Sequence, residues 1–194
     1  MDEFVVTEKL ANRAIVEGKH LKGEQIERLS NNSIADALRY FSGLQVKDYG
    51  GVGGLKTVNI RSMGTNHLGI FYDGIELGNA QNGVIDLGQF SLDNVDEISL
   101  YNGQKSQIFQ PASDFGNAGS VYIRTRRPIF TDKPYHLRFR LKGGSFDMIR
   151  FSAVWDQRIS PTVSSSINAE FLNASGKYKF RYMRKKADGT IAYD

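Results

Sequence analysis

The last third of the chain alternates apolar and polar residues with a strict period of two. In residues 135–142, Leu137, Phe139 and Leu141 alternate with histidine, arginine and lysine, and similar alternation recurs over residues 149–156 and 163–172. Successive side chains of a strand point to opposite faces, so the pattern predicts three amphipathic strands. A soluble sheet with one wet face and a membrane barrel with an apolar outer face both have this pattern.

The length of these runs bears on the choice between the two. They approach the roughly 9 to 11 residues with which a tilted strand crosses a bilayer. The sequence predicts turns at residues 143–145 and near Pro161, and either a fourth strand or an outward loop in the basic, aromatic residues 177–194. Three strands cannot close a barrel, and open edges in lipid leave backbone groups unpaired, so a barrel protein with this sequence would be a fragment.

The middle of the chain has a different pattern, in which β-prone runs flank a polar tip. Residues 58–61 and 68–77 are apolar and β-rich, and residues 62–67 between them are polar. This predicts strand, exposed loop and strand, arranged as a stiff hairpin that presents its tip. The Asp73-Gly74 step predicts a further tight turn within the second run.

Short helices and strands are predicted around this centre. Ser33 can cap a helix over residues 33–42, which Gly43 ends. Further helical segments are predicted at 23–29 and 106–110, and further strands at 14–16, 44–48, 95–101 and 120–126. Together these elements predict a compact α+β domain that ends near residue 128.

Composition and charge narrow the class of protein. The chain has 194 residues, 40% hydrophobic and 24% charged, which is typical of a folded protein, and it has no cysteine for disulfides or thiolate zinc sites. Its start, MDEFVVTEKLANR, has no signal-peptide pattern, so we expect that the leader of an exported protein has been removed. Residues 1–123 carry 10 Lys or Arg against 15 Asp or Glu, whereas residues 124–194 carry 15 against 6. The basic residues alternate with apolar ones along strands, so no nucleic-acid partner is predicted.

Candidate chemistry is sparse. The stretch YGGVGGLKT suggests a phosphate loop, but Leu55 stands where such a loop needs glycine before Lys56, and no helix is predicted to follow. The three histidines, His20, His67 and His136, are far apart in the sequence, and no nucleophile elbow is present. The sequence therefore predicts no enzyme, no cofactor and no metal site.

Six motifs in order resemble the plug and first barrel strands of a TonB-dependent outer-membrane receptor, with a pattern close to the vitamin B12 transporter branch. They are DEFVVTE, SIADALRYFSGLQV, VNIRS, IFYDGIEL, DLGQFSLDNVDEISL and FGNAGSVYIRTRR. The resemblance implies a TonB box and linker in residues 1–9, an α+β plug domain in residues 10–130, and the first antiparallel amphipathic strands of a truncated transmembrane β-barrel in residues 131–194. It also implies a barrel of roughly 22 strands, the plugged size class.

The resemblance further implies sites and partners. By its residues alone, DEFVVTE is either a frayed first strand or a docking strand. The resemblance implies that it is a TonB box, in which Phe4, Val5, Val6 and Thr7 bind TonB. TonB is in turn energised by ExbB and ExbD. Ligand is expected on the plug loops, at Tyr49, Gly50, Gly51, Met63, Thr65, Asn66, His67, Asn79, Gln81 and Asn82. Arg61 is the expected latch between plug and barrel, whose outside would face membrane lipid.

Two departures from the family pattern concern that latch. The usual Ile-Arg-Gly is Ile60-Arg61-Ser62, and the usual Arg-Gly-Pro is Asn102-Gly103-Gln104. In the family both arginines tend to pair with barrel carboxylates. Here only Arg61 is expected to form such an ion pair, or the plug is held to the barrel by hydrogen bonds instead.

The resemblance implies import of a scarce nutrient across the outer membrane of a Gram-negative bacterium, with the N-terminus in the periplasm. Iron chelates carried by siderophores, haem, cobalamin and glycans all fit as cargo. The alternative is a plug-like module that binds or signals without transport.

Overall fold

The computed structural model describes residues 18–29, 33–78, 83–103, 105, 110–177, 182–185 and 191–193. The strand predicted at residues 14–16 and nearly all of the helical turn predicted at 106–110 lie outside these ranges. The chain divides into two compact units, with the boundary between Ile129 and Phe130. Within the described ranges, no helix is long and apolar enough to cross a membrane.

A five-stranded sheet organises the first unit. In chain order its strands are β1 (Lys19–Lys22), β4 (Leu68–Tyr72), β5 (Ile75–Glu76), β6 (Val95–Tyr101) and β7 (Gly119–Thr125). They lie side by side in the order β1-β6-β7-β4-β5, and β4 runs parallel to β7 while the other pairs are antiparallel. The remaining elements are helices α1 (Glu24–Arg28) and α2 (Ile34–Leu38), the strands β2 (Leu44–Asp48) and β3 (Lys56–Ile60), and 3₁₀ helices at Thr65–His67 and Ala112–Gly116.

The predicted hairpin between the two central runs is wrong. All five residues of β3 pair with β2 in a separate antiparallel sheet, whereas β4 pairs with β7 and β5. The chain turns away after Ile60, because Arg61 and Ser62 take left-handed φ values of 45° and 62° and the Arg61 amide donates to the Gly43 carbonyl. The tight turn at Asp73-Gly74 is confirmed, with φ values of 48° and 87° and strands on both sides.

Helix α2 begins as predicted but ends early. The Asp36 amide donates to Oγ of Ser33, so the predicted cap is confirmed. After Leu38 the bonding changes to i→i+3, since the amides of Tyr40 and Phe41 donate to the carbonyls of Ala37 and Leu38. The last residues of the predicted helix are therefore a tight turn.

The core of the first unit lies between one face of the five-stranded sheet and the segments that cover it. Ile98 and Leu100 of β6 and Val121 and Ile123 of β7 are buried there with Ile34 and Leu38 of α2. On β6 and β7 the alternate positions are polar or aromatic, so the opposite face of the sheet has a different character.

Three long antiparallel strands form the second unit. They are β8 (Tyr135–Gly144), β9 (Met148–Arg158) and β10 (Ser164–Asn173), in the order β10-β9-β8, followed by a short pair, β11 (Met183–Lys185) and β12 (Ile191–Tyr193). The predicted α+β organisation followed by antiparallel amphipathic strands is confirmed. The first turn is not at residues 143–145 as predicted, because Gly143 and Gly144 continue β8 and the left-handed residues are Phe146 and Asp147.

The two faces of this sheet differ in polarity. One face is apolar and exposed, and it includes Leu137, Phe139, Phe151, Trp155, Ile167 and Phe171. The other face carries paired charges. Nη2 of Arg150 lies 2.7 Å from Oε2 of Glu170, and Nη2 of Arg138 lies 3.4 Å from Oδ2 of Asp156. The Ser166 hydroxyl donates to Oδ1 of Asp156 at 2.6 Å.

Candidate functional site

The glycine-rich loop of residues 49–55 is held by the end of strand β2. Oδ1 of Asp48 accepts hydrogen bonds from the amides of Gly50 and Gly51 at 3.2 and 2.7 Å, and the Tyr49 amide donates to the Leu55 carbonyl at 2.9 Å. A Cβ on Gly54 would lie 2.5 Å from Cα of Gly50, so this close approach requires glycine.

Lys56 follows the loop directly, and its ammonium group is buried. Nζ lies 2.8 Å from Oδ1 of Asp36 and 3.8 Å from Oδ2 of Asp48. The Lys56 amide donates to Oδ1 of Asp86 at 3.0 Å, and its carbonyl accepts from the Leu87 amide at 3.0 Å. The ammonium group that a phosphate loop would offer to a nucleotide is therefore engaged with carboxylates of the protein itself.

The surroundings of Asp36 and Asp48 favour the ionised form of both carboxylates. Burial raises the pKa of Asp36, but the hydrogen bonds from Lys56 and Ser33 and the charges of Lys56 and Arg39 more than offset it, so the pKa lies below its usual value. Burial likewise raises the pKa of Asp48, and the Gly50 and Gly51 amides with the same two cations bring it below the usual value.

The second predicted ligand loop lies at the other end of strand β3. Thr65, Asn66 and His67 form a 3₁₀ turn, and Met63 is 46% exposed. The Gly64 amide donates to Oδ1 of the buried Asn59 at 2.6 Å, which fastens the loop to β3. Because the glycine-rich loop precedes β3 and this loop follows it, about five residues of strand, roughly 16 Å, separate the two.

The segment of residues 83–88 runs from one loop to the other. A Cβ on Gly83 would lie 3.3 Å from Oδ1 of Asn66, and a Cβ on Gly88 would lie 2.9 Å from the carbonyl oxygen of Gly54. The structure thus brings each predicted loop against this segment but does not bring the two loops together.

Several predicted site residues cannot be placed. Asn79, Gln81 and Asn82 of the third loop, and Phe4, Val5, Val6 and Thr7 of the TonB box, lie outside the described residues. The Arg61 side chain is exposed and makes no hydrogen bond or ion pair with the part of the chain that the structure describes. Its role as a latch stays a prediction.

A second group of polar residues, which the sequence did not predict, lies on the far face of the five-stranded sheet. Glu97 of β6 is its centre: its carboxylate lies 2.8 Å from Nδ1 of His20 and 3.4 Å from Nζ of Lys22, and it pairs with Arg124 of β7. Burial raises the pKa of Glu97, but the hydrogen bond from His20, the charge of Arg124 and further contacts from Ser99 and Lys22 hold it below its usual value. The alternation of Glu97, Ser99 and Tyr101 was the available signal in the sequence.

A cavity of about 660 Å³ lies beside Glu97. Its lining includes Tyr101, Tyr122 and Lys105. Nζ of Lys105 lies 4.0 Å from the centroid of the Tyr122 ring, and the Tyr122 hydroxyl donates to Asp114 at 2.6 Å. Burial lowers the pKa of Lys105, and burial with the Asp114 hydrogen bond raises that of Tyr122. Among the described residues, no group of three or more His, Asp or Glu side chains could hold a metal ion.

Comparison with known proteins agrees with this fold. The family described as TonB-dependent Receptor Plug Domain matches residues 15–121. The vitamin B12 transporter BtuB of Photobacterium profundum is 31% identical over 86 residues, which are 44% of this chain and 14% of the transporter. BtuB of Vibrio cholerae is 24% identical over 102 residues, which are 53% of this chain and 17% of that protein. The chain thus spans less than a fifth of the length of these relatives.

Solved structures show the same fold. The alcaligin outer membrane receptor FauA of Bordetella pertussis matches with a TM-score of 0.63 at 16% identity, over 84% of this chain and 27% of the receptor. The copper transporter OprC matches with a TM-score of 0.64 at 14% identity, over 93% of this chain and 26% of that protein. These matches extend beyond the plug into the amphipathic strands. The chain belongs to the TonB-dependent receptor plug domain family, and its second unit shares the strand fold of these receptors.

Proposed function

We propose that this chain is the N-terminal part of an outer-membrane receptor that imports a scarce nutrient by TonB-driven rearrangement of its plug. The observation that carries the proposal is the succession of a plug and strands whose exposed face is apolar, the polarity expected of strands that face lipid. The cargo classes are an iron chelate, haem, cobalamin or a glycan. The matches to vitamin B12 transporters support cobalamin, and a match to the siderophore receptor PirA of Acinetobacter baumannii supports an iron chelate.

In the proposed mechanism, ligand arrives from outside the cell and contacts the plug loops together with extracellular loops of the barrel. The glycine-rich loop offers the exposed ring of Tyr49, the side chain of Leu55 and peptide groups, while the nearby carboxylates of Asp36 and Asp48 are paired with cations. Arg61 is proposed to hold the plug against the barrel wall until TonB acts.

Energy would enter at the N-terminus. Residues 4–7 are proposed to pair in the periplasm with a strand of TonB, which is driven by ExbB and ExbD. Strand addition uses main-chain hydrogen bonds, and proline lacks the amide donor.

The test compares Val5→Pro with Val5→Ala in the full-length receptor. Uptake of radiolabelled cyanocobalamin, ferric siderophores, haemin and oligosaccharides is measured in cells that lack their other receptors. We expect uptake of one of these cargoes to be lost with Val5→Pro and retained with Val5→Ala. Equal uptake by wild type and Val5→Pro would refute TonB-driven transport, and binding without any uptake would favour a plug-like module that only binds or signals.

A further inference from the structure

Lys56 carries a positive charge into the interior of the first unit. The residue is 7% exposed. A buried ammonium group loses its hydration, so it is stable only when carboxylates or other acceptors surround it. Asp36 and Asp48 meet that requirement at 2.8 and 3.8 Å, and Asp86 binds the Lys56 main-chain amide.

These contacts lie on different segments of the chain. Asp36 belongs to helix α2, Asp48 ends strand β2 immediately before the glycine-rich loop, and Asp86 lies in the segment of residues 83–88. The main chain completes the connection, because the Leu87 amide donates to the Lys56 carbonyl and the Ala35 amide donates to the Leu87 carbonyl. Lys56 is therefore the residue at which the loop, the segment and the helix meet.

Neither the loop nor the segment has regular structure of its own. Gly51 and Gly53 of the loop take left-handed φ values of 67° and 79°, a region that glycine enters at little cost and from which it also departs readily. Residues 83–88 contain no helix or strand. The ammonium group of Lys56 connects the elements that support them. It pairs with Asp48, whose carboxylate holds the loop, and with Asp36 of helix α2, which is hydrogen-bonded to the segment.

We propose that Lys56 is a positioning residue for ligand recognition, which holds the glycine-rich loop and residues 83–88 as one surface. The proposal rests on the proposed function, in which these loops contact the ligand. The negative charges of Asp36 and Asp48 are taken up by Lys56 and Arg39, so the surface presents aromatic, apolar and peptide groups. Such a surface fits an extended ligand with an apolar or aromatic face better than a small, highly charged anion.

The test measures the relative position of the two segments directly in the purified full-length receptor. Spin labels are attached to cysteines at Tyr49→Cys and Gln89→Cys, both exposed positions, on a background without other cysteines. Double electron–electron resonance then gives the distribution of distances between the labels. We expect a single narrow distribution with Lys56, and one at least twofold broader with Lys56→Met.

Two further variants separate positioning from a general loss of charge. Lys56→Arg keeps the charge and can donate to the same carboxylates, so the narrow distribution should largely return. Lys47→Met removes an exposed lysine from the neighbouring strand β2 and should leave the distribution unchanged. If Lys56→Met does not accumulate, Asp36→Asn removes the nearest carboxylate at constant volume and should broaden the distribution in the same way.

The proposal would be overturned, whatever the receptor transports, if the distance distribution in Lys56→Met were as narrow as in wild type. The same holds for Asp36→Asn where that variant is used. A broadened distribution in a receptor whose wild type takes up none of the cargoes would leave the positioning role standing and refute the proposed function. The two failures are therefore distinguishable.

Discussion

Glu97 fastens strand β1 to the sheet through His20, whose Nδ1 lies 2.8 Å from the carboxylate. Strand β1 is an edge strand that pairs with β6 alone, over four residues. Lys22 also reaches Glu97, and Arg124 binds the same carboxylate from β7. One carboxylate thus links the edge strand nearest the N-terminus to two strands of the central sheet, and force applied to the N-terminus would meet this link early.

Replacing Glu97 with glutamine should loosen strand β1. The neutral amide of glutamine loses the charge attraction to His20, Lys22 and Arg124. Because these partners are partly exposed, we expect the loss in local stability to be limited to about 1–2 kcal/mol. Hydrogen exchange of the full-length receptor should show roughly tenfold faster exchange over residues 18–23. Glu76→Gln, on the exposed edge strand β5, is the matched control and should leave β1 unchanged. Unaltered exchange in Glu97→Gln would show that backbone pairing alone holds the strand.

The same link predicts a dependence on pH. The pKa of Glu97 is below its usual value of 4.5, since its hydrogen bonds and neighbouring cations outweigh the effect of burial. A lowered carboxyl pKa contributes stability that is fully present above the unfolded value and is lost as the pH falls through the folded value. Protection of β1, corrected for intrinsic exchange rates, should therefore be constant from neutral pH down to about 5 and fall below about 4.5. Loss of protection near pH 6 would point to a different group.

Local patterns predicted the amphipathic strands well, because alternation within β8, β9 and β10 needs no knowledge of the rest of the chain. The partner of β4 could not be predicted in this way. Two β-rich runs around a short polar tip look like a hairpin, but β4 pairs in parallel with β7, which lies some fifty residues later in the chain. Glycine preference also misplaced the first turn of the second unit, where Phe146 and Asp147 take the left-handed conformation instead.

The candidate site was predictable only in part. The family resemblance placed Tyr49, Gly50 and Gly51 on a plug loop, and the structure has a loop there. The role of Lys56 was not predictable, because its carboxylate partners come from helix α2, strand β2 and a segment 30 residues away in the chain. A buried ion pair of this kind depends on tertiary structure, and the sequence around Lys56 suggested only a phosphate loop.

Gly119 should not tolerate alanine, whereas Gly116 in the same motif should. A Cβ on Gly119 would collide with Cδ1 of Ile60 and lie 2.9 Å from the Tyr101 carbonyl oxygen, but a Cβ on Gly116 would meet nothing within 4 Å. Overpacking of this kind costs about 1–3 kcal/mol. Hydrogen exchange over β7 in the full-length receptor should accelerate about 5- to 150-fold in Gly119→Ala and remain at the wild-type rate in Gly116→Ala. Equal rates in both variants would mean that Ile60 and the Tyr101 carbonyl move aside without cost.

The apolar face of the second unit allows a test whose sign depends on its surroundings. Phe139 is 65% exposed, and its ring stacks on that of Phe151 with centroids 5.9 Å apart. If this face contacts lipid, Phe139→Arg places a charge in hydrocarbon and should destabilise the full-length receptor by up to about 2–4 kcal/mol, depending on depth. If it contacts water, the substitution removes an exposed apolar ring and should leave stability nearly unchanged while raising solubility.

The measurement is the denaturant midpoint of the purified receptor, together with the fraction that assembles in the outer membrane. Phe139→Leu keeps the position apolar and serves as the control, with both quantities expected near wild type. A lower midpoint and poorer assembly in Phe139→Arg alone would support a lipid-facing strand. Wild-type values in both variants would argue that the sheet lies in water, as expected of a plug-like module without a transmembrane barrel.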